Sequence, residues 1–179
     1  KQPIEDENNF NYFELDNLQT TSSNDVSKIV SFSKKIGSID PLAFLQKFTR
    51  EDSLHFYWEN PKKQEAIAAC GVVSSIATNS VDRFKQAQNF VKNCLEKTIN
   101  KGDDNLPGAG PHFFCSFTFF DRSNFELSPF PAGTIFLPKF QVYKKNSSCT
   151  LVVNLAVNDR ENIKHLLEQL NREIKDINW

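Results

Sequence analysis

Leu54 to Ile76 reads LHFYWENPKKQEAIAACGVVSSI, and the fold turns on how this stretch is parsed. The aromatic run Phe56-Tyr57-Trp58 ends at Glu59-Asn60-Pro61, and Lys62 to Glu65 is polar. Ala66 to Ile76 is then small and β-branched, with one glycine at position 71. Two β-rich runs on either side of an Asn-Pro break and a short charged link predict a β-hairpin. Both runs are apolar at nearly every position, so the hairpin is expected at the centre of a sheet covered on both faces.

Outward from the hairpin, Ile29 to Ile39 alternates apolar residues with Ser and Lys, which predicts a strand with one wetter face at or near a sheet edge. Asp40-Pro41 then places an N-cap and an N1 proline for a short helix whose apolar stripe is Leu42, Leu45 and Phe48. On the far side, Ser80 opens a long helix over about 81–101, with Phe84, Ala87, Val91, Leu95 and Ile99 on one face and Gly102 beyond its end. Gly102 to Pro111 is a loop. Its Gly108-Ala109-Gly110 lacks the third glycine and the following helix of a dinucleotide fingerprint.

His112 to Asp121, HFFCSFTFFD, is the most apolar stretch and predicts a buried strand, followed by a connector over Arg122 to Gly133. Thr134 to Tyr143 and Cys149 to Val157 read as strands of a second hairpin, turned at Lys144 to Ser147. A capping box at Asn158 and Glu161 begins a helix of about 160–177, with Ile163, Leu166, Leu167, Leu170, Ile174 and Ile177 as its stripe. Residues 1–28 carry six acids against Lys1 and Lys28 and a Thr/Ser/Asn-rich segment, and read as a polar acidic N-terminal arm. Residues 29–179 are then a single α+β domain: a largely antiparallel sheet of five or six strands with two long amphipathic helices on one face.

Composition narrows the function. A net charge of −1 gives no electrostatic case for nucleic acid or an acidic membrane. No apolar stretch has membrane-spanning length and no signal-peptide pattern opens the chain, so a cytoplasmic location is expected. The lack of an initial Met, or of any Met, marks the chain as a candidate piece of a longer protein. Cys70, Cys94, Cys115 and Cys149 form no Cys-x-x-Cys pair and read as buried free thiols of a reducing compartment. His55, His112 and His165 are isolated, and no zinc, Walker or Ca²⁺ motif is present.

Candidates for chemistry are few. Glu59, Asp121 and Arg122 are the charges beside long apolar runs; they fit a pair of acids, or an acid with its orienting arginine, and more simply the points where strands emerge into solvent. Cys115 lies among apolar neighbours that raise a thiol pKa, which makes it a poor nucleophile. No residue receives a catalytic, cofactor-binding or metal-binding role.

Several strings carry more than their propensities. Phe56-Tyr57-Trp58-Glu59-x-Pro61 with Ala66-Ile67-Ala68 and Gly71 resembles the front half of isochorismate synthases, chorismate-utilising enzymes related to anthranilate and salicylate synthases. Arg83-Phe84 with Ala87-Gln88, Phe113-Phe114-x-x-Phe117-x-Phe119 ending at Asp121, Phe130-Pro131 leading to Leu137-Pro138-Lys139, and Ile39-Asp40-Pro41-Leu42 upstream agree in order and spacing. The similarity covers about 29–157. Ala69 stands where the family usually has Gly, and Cys115-Ser116 where it has a Gly pair.

The resemblance implies half of an aminodeoxychorismate synthase-like fold and a parent enzyme that converts chorismate to isochorismate with Mg²⁺, in the menaquinone, phylloquinone or siderophore branches. The family's activating Lys, its acid Glu and its Mg²⁺ carboxylates lie downstream of every motif matched here. This chain is therefore expected to be the inactive N-terminal region, needing no cofactor of its own, whose partner is the C-terminal catalytic, chorismate-binding half of the same protein. One face of the Phe-rich sheet is then expected to stay bare for that half, or, in the isolated piece, for self-association. A stand-alone α+β small-ligand-binding or protein-interaction module is the alternative.

Overall fold

A computed structural model describes residues 28–51, 53–120 and 130–156, together with Glu168 and Arg172. The described strands are β1 (Ile29–Ile36), β2 (His55–Asn60), β3 (Glu65–Cys70), β4 (Ser74–Thr78), β5 (Thr98–Gly102), β6 (Phe114–Phe117), β7 (Gly133–Leu137), β8 (Phe140–Lys145) and β9 (Ser148–Ala156). The described helices are α1 (Pro41–Phe48) and α2 (Arg83–Glu96). They form two sheets rather than the single one expected: a six-stranded sheet ordered β2-β3-β8-β9-β1-β5 and a three-stranded sheet ordered β4-β7-β6. Every pairing is antiparallel except β1 with β5.

The predicted hairpin exists, with Phe56 opposite Ala69 and Trp58 opposite Ile67. Its position differs from the expected one. β2 is an edge strand with Trp58 exposed, and only β3 is central. The run from Ala66 to Ile76 is not one strand but two. It breaks at Gly71 (φ 73) and passes from one sheet to the other. The run from Thr134 to Tyr143 breaks opposite it, at Pro138-Lys139. The two breaks are tied together, Val73 N–H to the Leu137 carbonyl at 2.9 Å and Lys139 N–H to the Gly71 carbonyl at 3.3 Å. A single long antiparallel ribbon thus turns a corner and seeds both sheets. Proline has no N–H to give the ladder, so the corner falls where the ladder is already interrupted.

β1, expected at or near a sheet edge, is the second strand from one, between β9 and β5, but Ile29 to Ser33 are buried where a wetter face was expected. The long helix ends at Glu96, and Thr98 to Lys101, read as its last turn, belongs with Gly102 to the edge strand β5. Pairing with β1 outweighs the helical periodicity that Thr98 and Ile99 continue. β6 stops at Phe117, leaving Phe119 and Phe120 exposed rather than buried. The β8–β9 hairpin turns at Asn146 (φ 56) within Lys144 to Ser147, as read from the sequence.

Asp40 caps α1, its Oδ1 accepting from the Leu42 N–H at 2.9 Å, with Pro41 in the first turn. Leu42, however, faces solvent, and Phe44, on the same side as Pro41 and Leu45, takes the core position. Asp40→Ala is expected to destabilise the protein by about 1 kcal/mol, a loss of roughly 2–4 °C in a thermal melt.

α1 and the long α2 lie against different sheets, and the second long helix, expected to share a face with α2, lies almost wholly outside the described residues. α1 covers β3 and β8, where Phe44 and Leu45 meet Ala68, Cys70, Val142, Leu151 and Val153. α2 packs on β4 and β7 through Ala87, Phe90 and Cys94. The opposite face of the large sheet is not bare. Phe114 and Phe136 of the small sheet pack on Phe56, Ile67 and Ala69. The loop before β6 lies over the next strands (Gly110 N–H to Ser33 Oγ, 2.9 Å). Residues 1–27 of the acidic arm, the connector over 121–129 and most of the C-terminal helix lie outside the described residues; Glu168 and Arg172 are helical and exposed. No described helix is long and apolar enough to cross a membrane.

Candidate functional site

Three places could support function: an acidic cleft, a buried polar layer, and an apolar groove beside an arginine clasp. The cleft, about 350 Å³, opens where α1 meets the β2–β3 turn and is lined by Asp40, Tyr57, Glu59, Gln64, Glu65 and Lys144, among others. Glu59 is exposed at the end of β2, as the strand-end reading has it, and accepts the Tyr57 hydroxyl at 3.1 Å. Burial pushes the Tyr57 phenol above its ordinary pKa, and the hydrogen bond to Glu59 and the charges of Glu59 and Asp40 add to this. Glu65 is held below the usual carboxylate range by the Tyr143 hydroxyl at 3.0 Å, helped by Lys145 at 3.4 Å.

Glu59 and Glu65 therefore each hold a phenol. No group of three or more His, Cys, Asp or Glu among the described residues could hold a metal ion. Asp121 and Arg122, the other pair singled out by sequence, lie outside the described residues, as does His165.

Sequence reasoning missed the polar layer. On the covered face of the large sheet, Gln141, Asn154, Ser31 and Ser33 are buried. Gln141 Oε1 accepts from the His112 main-chain N–H (3.2 Å) and from Asn154 Nδ2 (3.3 Å), while Gln141 Nε2 donates to the Gly110 carbonyl (3.0 Å) and to His112 Nδ1 (2.7 Å). A main-chain N–H only donates and a carbonyl only accepts, so the orientation of the amide is fixed, and His112 Nδ1 must be the acceptor. Asn154 Nδ2 also donates to the Pro138 carbonyl at 2.9 Å. Ser31 Oγ and Asn154 Oδ1 sit on partner positions of β1 and β9 with no protein hydrogen bond, a pair that one ordered water would satisfy. The available signal was the single polar residue at alternate positions of each strand, Gln141 between Phe140 and Val142 and Asn154 between Val153 and Leu155.

The same layer accounts for the glycine loop. Gly110 spends its N–H on Ser33 and its carbonyl on Gln141, so the loop clamps the sheet and does not cradle a phosphate.

Arg83 is the buried cation of α2, only 6% exposed. Its guanidinium donates to the main-chain carbonyls of Phe119, Phe120 and Ala132 and to Thr118 Oγ1, and lies 4.8 Å from the Phe84 ring centroid. It thereby fastens α2 to the end of β6 and the start of β7. That inward role rotates the helix so that Phe84, Val91 and Leu95, read as its core stripe, face outward instead. With Ala87, Cys115 and Phe117 they line an open apolar groove of about 790 Å³.

Cys115, expected buried, is exposed there, while Cys70, Cys94 and Cys149 are buried free thiols as expected. Burial pushes the Cys70 thiol up to about 12 and raises the other three, Cys115 included. None is a ready nucleophile.

Comparison with known proteins adds three findings. The family model described as "Chorismate binding enzyme" matches residues 16–178. The isochorismate synthase MenF of Bacillus subtilis (strain 168) is 25% identical over 154 residues, 79% of this chain and 32% of that protein. The solved structure of MenF, the menaquinone-specific isochorismate synthase from Escherichia coli, aligns with a TM-score of 0.50 at 15% identity, over 88% of this chain and 31% of that one. The chain spans about a third of the length of the relatives it matches.

Proposed function

Since the chain belongs to the chorismate-binding enzymes, we propose that it is the non-catalytic N-terminal region of an isochorismate synthase whose whole converts chorismate to isochorismate with Mg²⁺. The groove carries this reading. Phe84 and Leu95 stand exposed on it beside Val91 and Phe117, an apolar surface that marks an interface. Among the described residues, the polar groups singled out above are engaged by the fold: Glu59 and Glu65 by tyrosines, Gln141 by its loop, Arg83 by carbonyls.

On this reading the chain supplies a rigid platform. Chorismate, Mg²⁺ and the proton-transfer groups belong to the remainder of the parent, and the groove is where that remainder rests.

Chorismate and Mg²⁺ incubated with the purified 179-residue chain are expected to give no isochorismate above the uncatalysed background, measured by chromatography of the products. Turnover that scales with protein concentration and disappears with EDTA would show that the chemistry resides here after all. A reading frame that continues past Trp179 into the family's catalytic motifs is the companion result expected from the coding sequence.

A further inference from the structure

We infer that His112 is a proton-sensitive latch: its neutral ring holds the loop over 103–113 on the large sheet, and protonation at Nδ1 loosens that hold. The inference goes beyond the proposed function and does not rest on it, since its test reads loop opening and not turnover.

The hydrogen bonds around the ring select the protonation state that the closed loop accepts. Gln141 Nε2 lies 2.7 Å from His112 Nδ1 and 3.0 Å from the Gly110 carbonyl, while Oε1 accepts from the His112 main-chain N–H and from Asn154 Nδ2. Nδ1 is then the acceptor, so the proton of the neutral ring is on Nε2. A proton added at Nδ1 would point one donor at another across 2.7 Å. The Gly110 carbonyl, 3.1 Å from Nδ1, could take that proton, but the Gln141 amide would still face it. Turning the amide over gives no relief. It would set Nε2 against the His112 N–H and Asn154 Nδ2, and Oε1 against the Gly110 carbonyl. Asn154 could turn to match only by giving up the Pro138 carbonyl, which its Nδ2 holds at 2.9 Å. Relief comes when the ring leaves Gln141, and the loop then loses a tie.

The closed loop holds the neutral ring and the open loop holds either form. Opening therefore takes up a proton, and falling pH favours it. The ionisable groups around the loop do not reverse this. Lys35 of β1, Glu65 of β3, and Tyr143 and Lys145 of β8 share the face of the large sheet that carries Gln141, and Glu65 is already held by Tyr143 and Lys145. Lys139, just before β8, lies against Gly71. Asp103 and Asp104 begin the loop, where Asp103 Oδ1 accepts the Asn105 N–H at 3.1 Å. Cys94 of α2 packs with Phe113, and Cys115 of β6 faces the groove. Among the described residues the ring's hydrogen-bond neighbours are Gln141 and Gly110. The loop runs straight into β6, with Phe113 against Phe90 of α2 and Phe114 against Phe56 of β2. Proton uptake is thereby coupled to the join between the two sheets.

Amide exchange of the 179-residue chain, followed by NMR and corrected for its intrinsic pH dependence, tests this. The comparison runs from about pH 8 to about pH 5.5, the range in which an imidazole takes up its proton. The His112 and Gly110 amides are expected to lose protection about fivefold at the lower pH, the worth of one hydrogen bond, while those of β8 and β9 hold. At the higher pH the ring spectrum is expected to show the His112 proton on Nε2. His112→Asn offers an acceptor near the place of Nδ1 and takes up no proton, so it is expected to abolish the pH response; circular dichroism verifies its fold. His55→Gln, at the exposed start of β2, is expected to leave the response unchanged. Equal protection at the two pH values, a ring proton on Nδ1, or a loss that persists in His112→Asn overturns the inference. A loss shared equally by β8 and β9 overturns it too, because the whole fold would then be responding to acid. The ring spectrum and the exchange of the unsubstituted chain decide the matter even where the variant is unstable.

Discussion

Gly102→Ala is expected to be among the most damaging single-methyl additions in the protein, lowering stability by about 4 kcal/mol or more and the melting temperature by roughly 10 °C or more. Two causes act together. Gly102 has φ 83, where an L side chain costs about 1–2 kcal/mol. A Cβ there would also stand 2.1 Å from the Ser33 carbonyl oxygen, which cannot retreat. Ser33 belongs to β1, buried between β9 and β5, and its carbonyl accepts the Asp103 N–H at 3.0 Å at the same point. Relief requires β5 to slide off β1 and the one parallel ladder to open. Gly110→Ala is the internal control. Gly110 has nearly the same φ, 81, yet nothing lies within 4 Å of a Cβ built there. It should cost only the strain, about 1–2 kcal/mol. Equal losses for the two substitutions in urea melts would show that crowding against β1 is not the cause.

Much of this architecture is written in local chemistry, and some of it is not. Asp40-Pro41, Asn60-Pro61 and Lys144 to Ser147 each announce a cap or turn in a few residues, and the structure keeps all three. The runs 66–76 and 134–143 are different. β-propensity marks them as extended, but where each bends depends on its partner in the ribbon, and the two breaks answer each other across the chain. Thr98 to Gly102 continues the periodicity of α2 and becomes strand only because β1, some seventy residues earlier, is there to pair with.

α2 shows the limit most plainly. Phe84, Ala87, Val91 and Leu95 are as regular a stripe as Ala87, Phe90 and Cys94, and the choice between them is made by where the Arg83 carbonyl partners lie. The site was legible to a similar depth. Glu59 was found, and was rightly read as a strand end. Family resemblance, carried by strings such as Phe56 to Pro61, was visible without coordinates. The hydrogen-bonded layer under Gly110 was not, because a lone Gln or Asn inside an apolar strand reads as noise until its neighbours on the next strands are known.

That layer supplies the second large effect. Gln141→Leu is expected to destabilise the protein by roughly 3–4 kcal/mol, although leucine is apolar and nearly isosteric, and to release the loop over 103–113 before the sheet itself unfolds. Among the described residues this side chain, 1% exposed, accepts the His112 main-chain N–H and, because His112 Nδ1 is an acceptor, is the donor to the Gly110 carbonyl. Removing it leaves half-buried polar groups without their protein partner, each at up to about 1–3 kcal/mol, and leucine offsets little of this because it fills the same volume. The neighbouring clamp, Gly110 N–H to Ser33 Oγ, holds the same loop. Ser33→Ala should therefore cost less in the Gln141→Leu background than in the parent chain, with a coupling of about 0.5 kcal/mol or more in a double-mutant cycle. Amide exchange of residues 108–110 and of His112 should accelerate in Gln141→Leu while that of β8 and β9 follows global unfolding. Strict additivity, or a loop that stays protected, would mean that Gln141 merely fills space. The expected coupling would instead make it the pin by which one strand of the large sheet fixes the approach to β6, and hence the position of the groove on which the proposed platform depends.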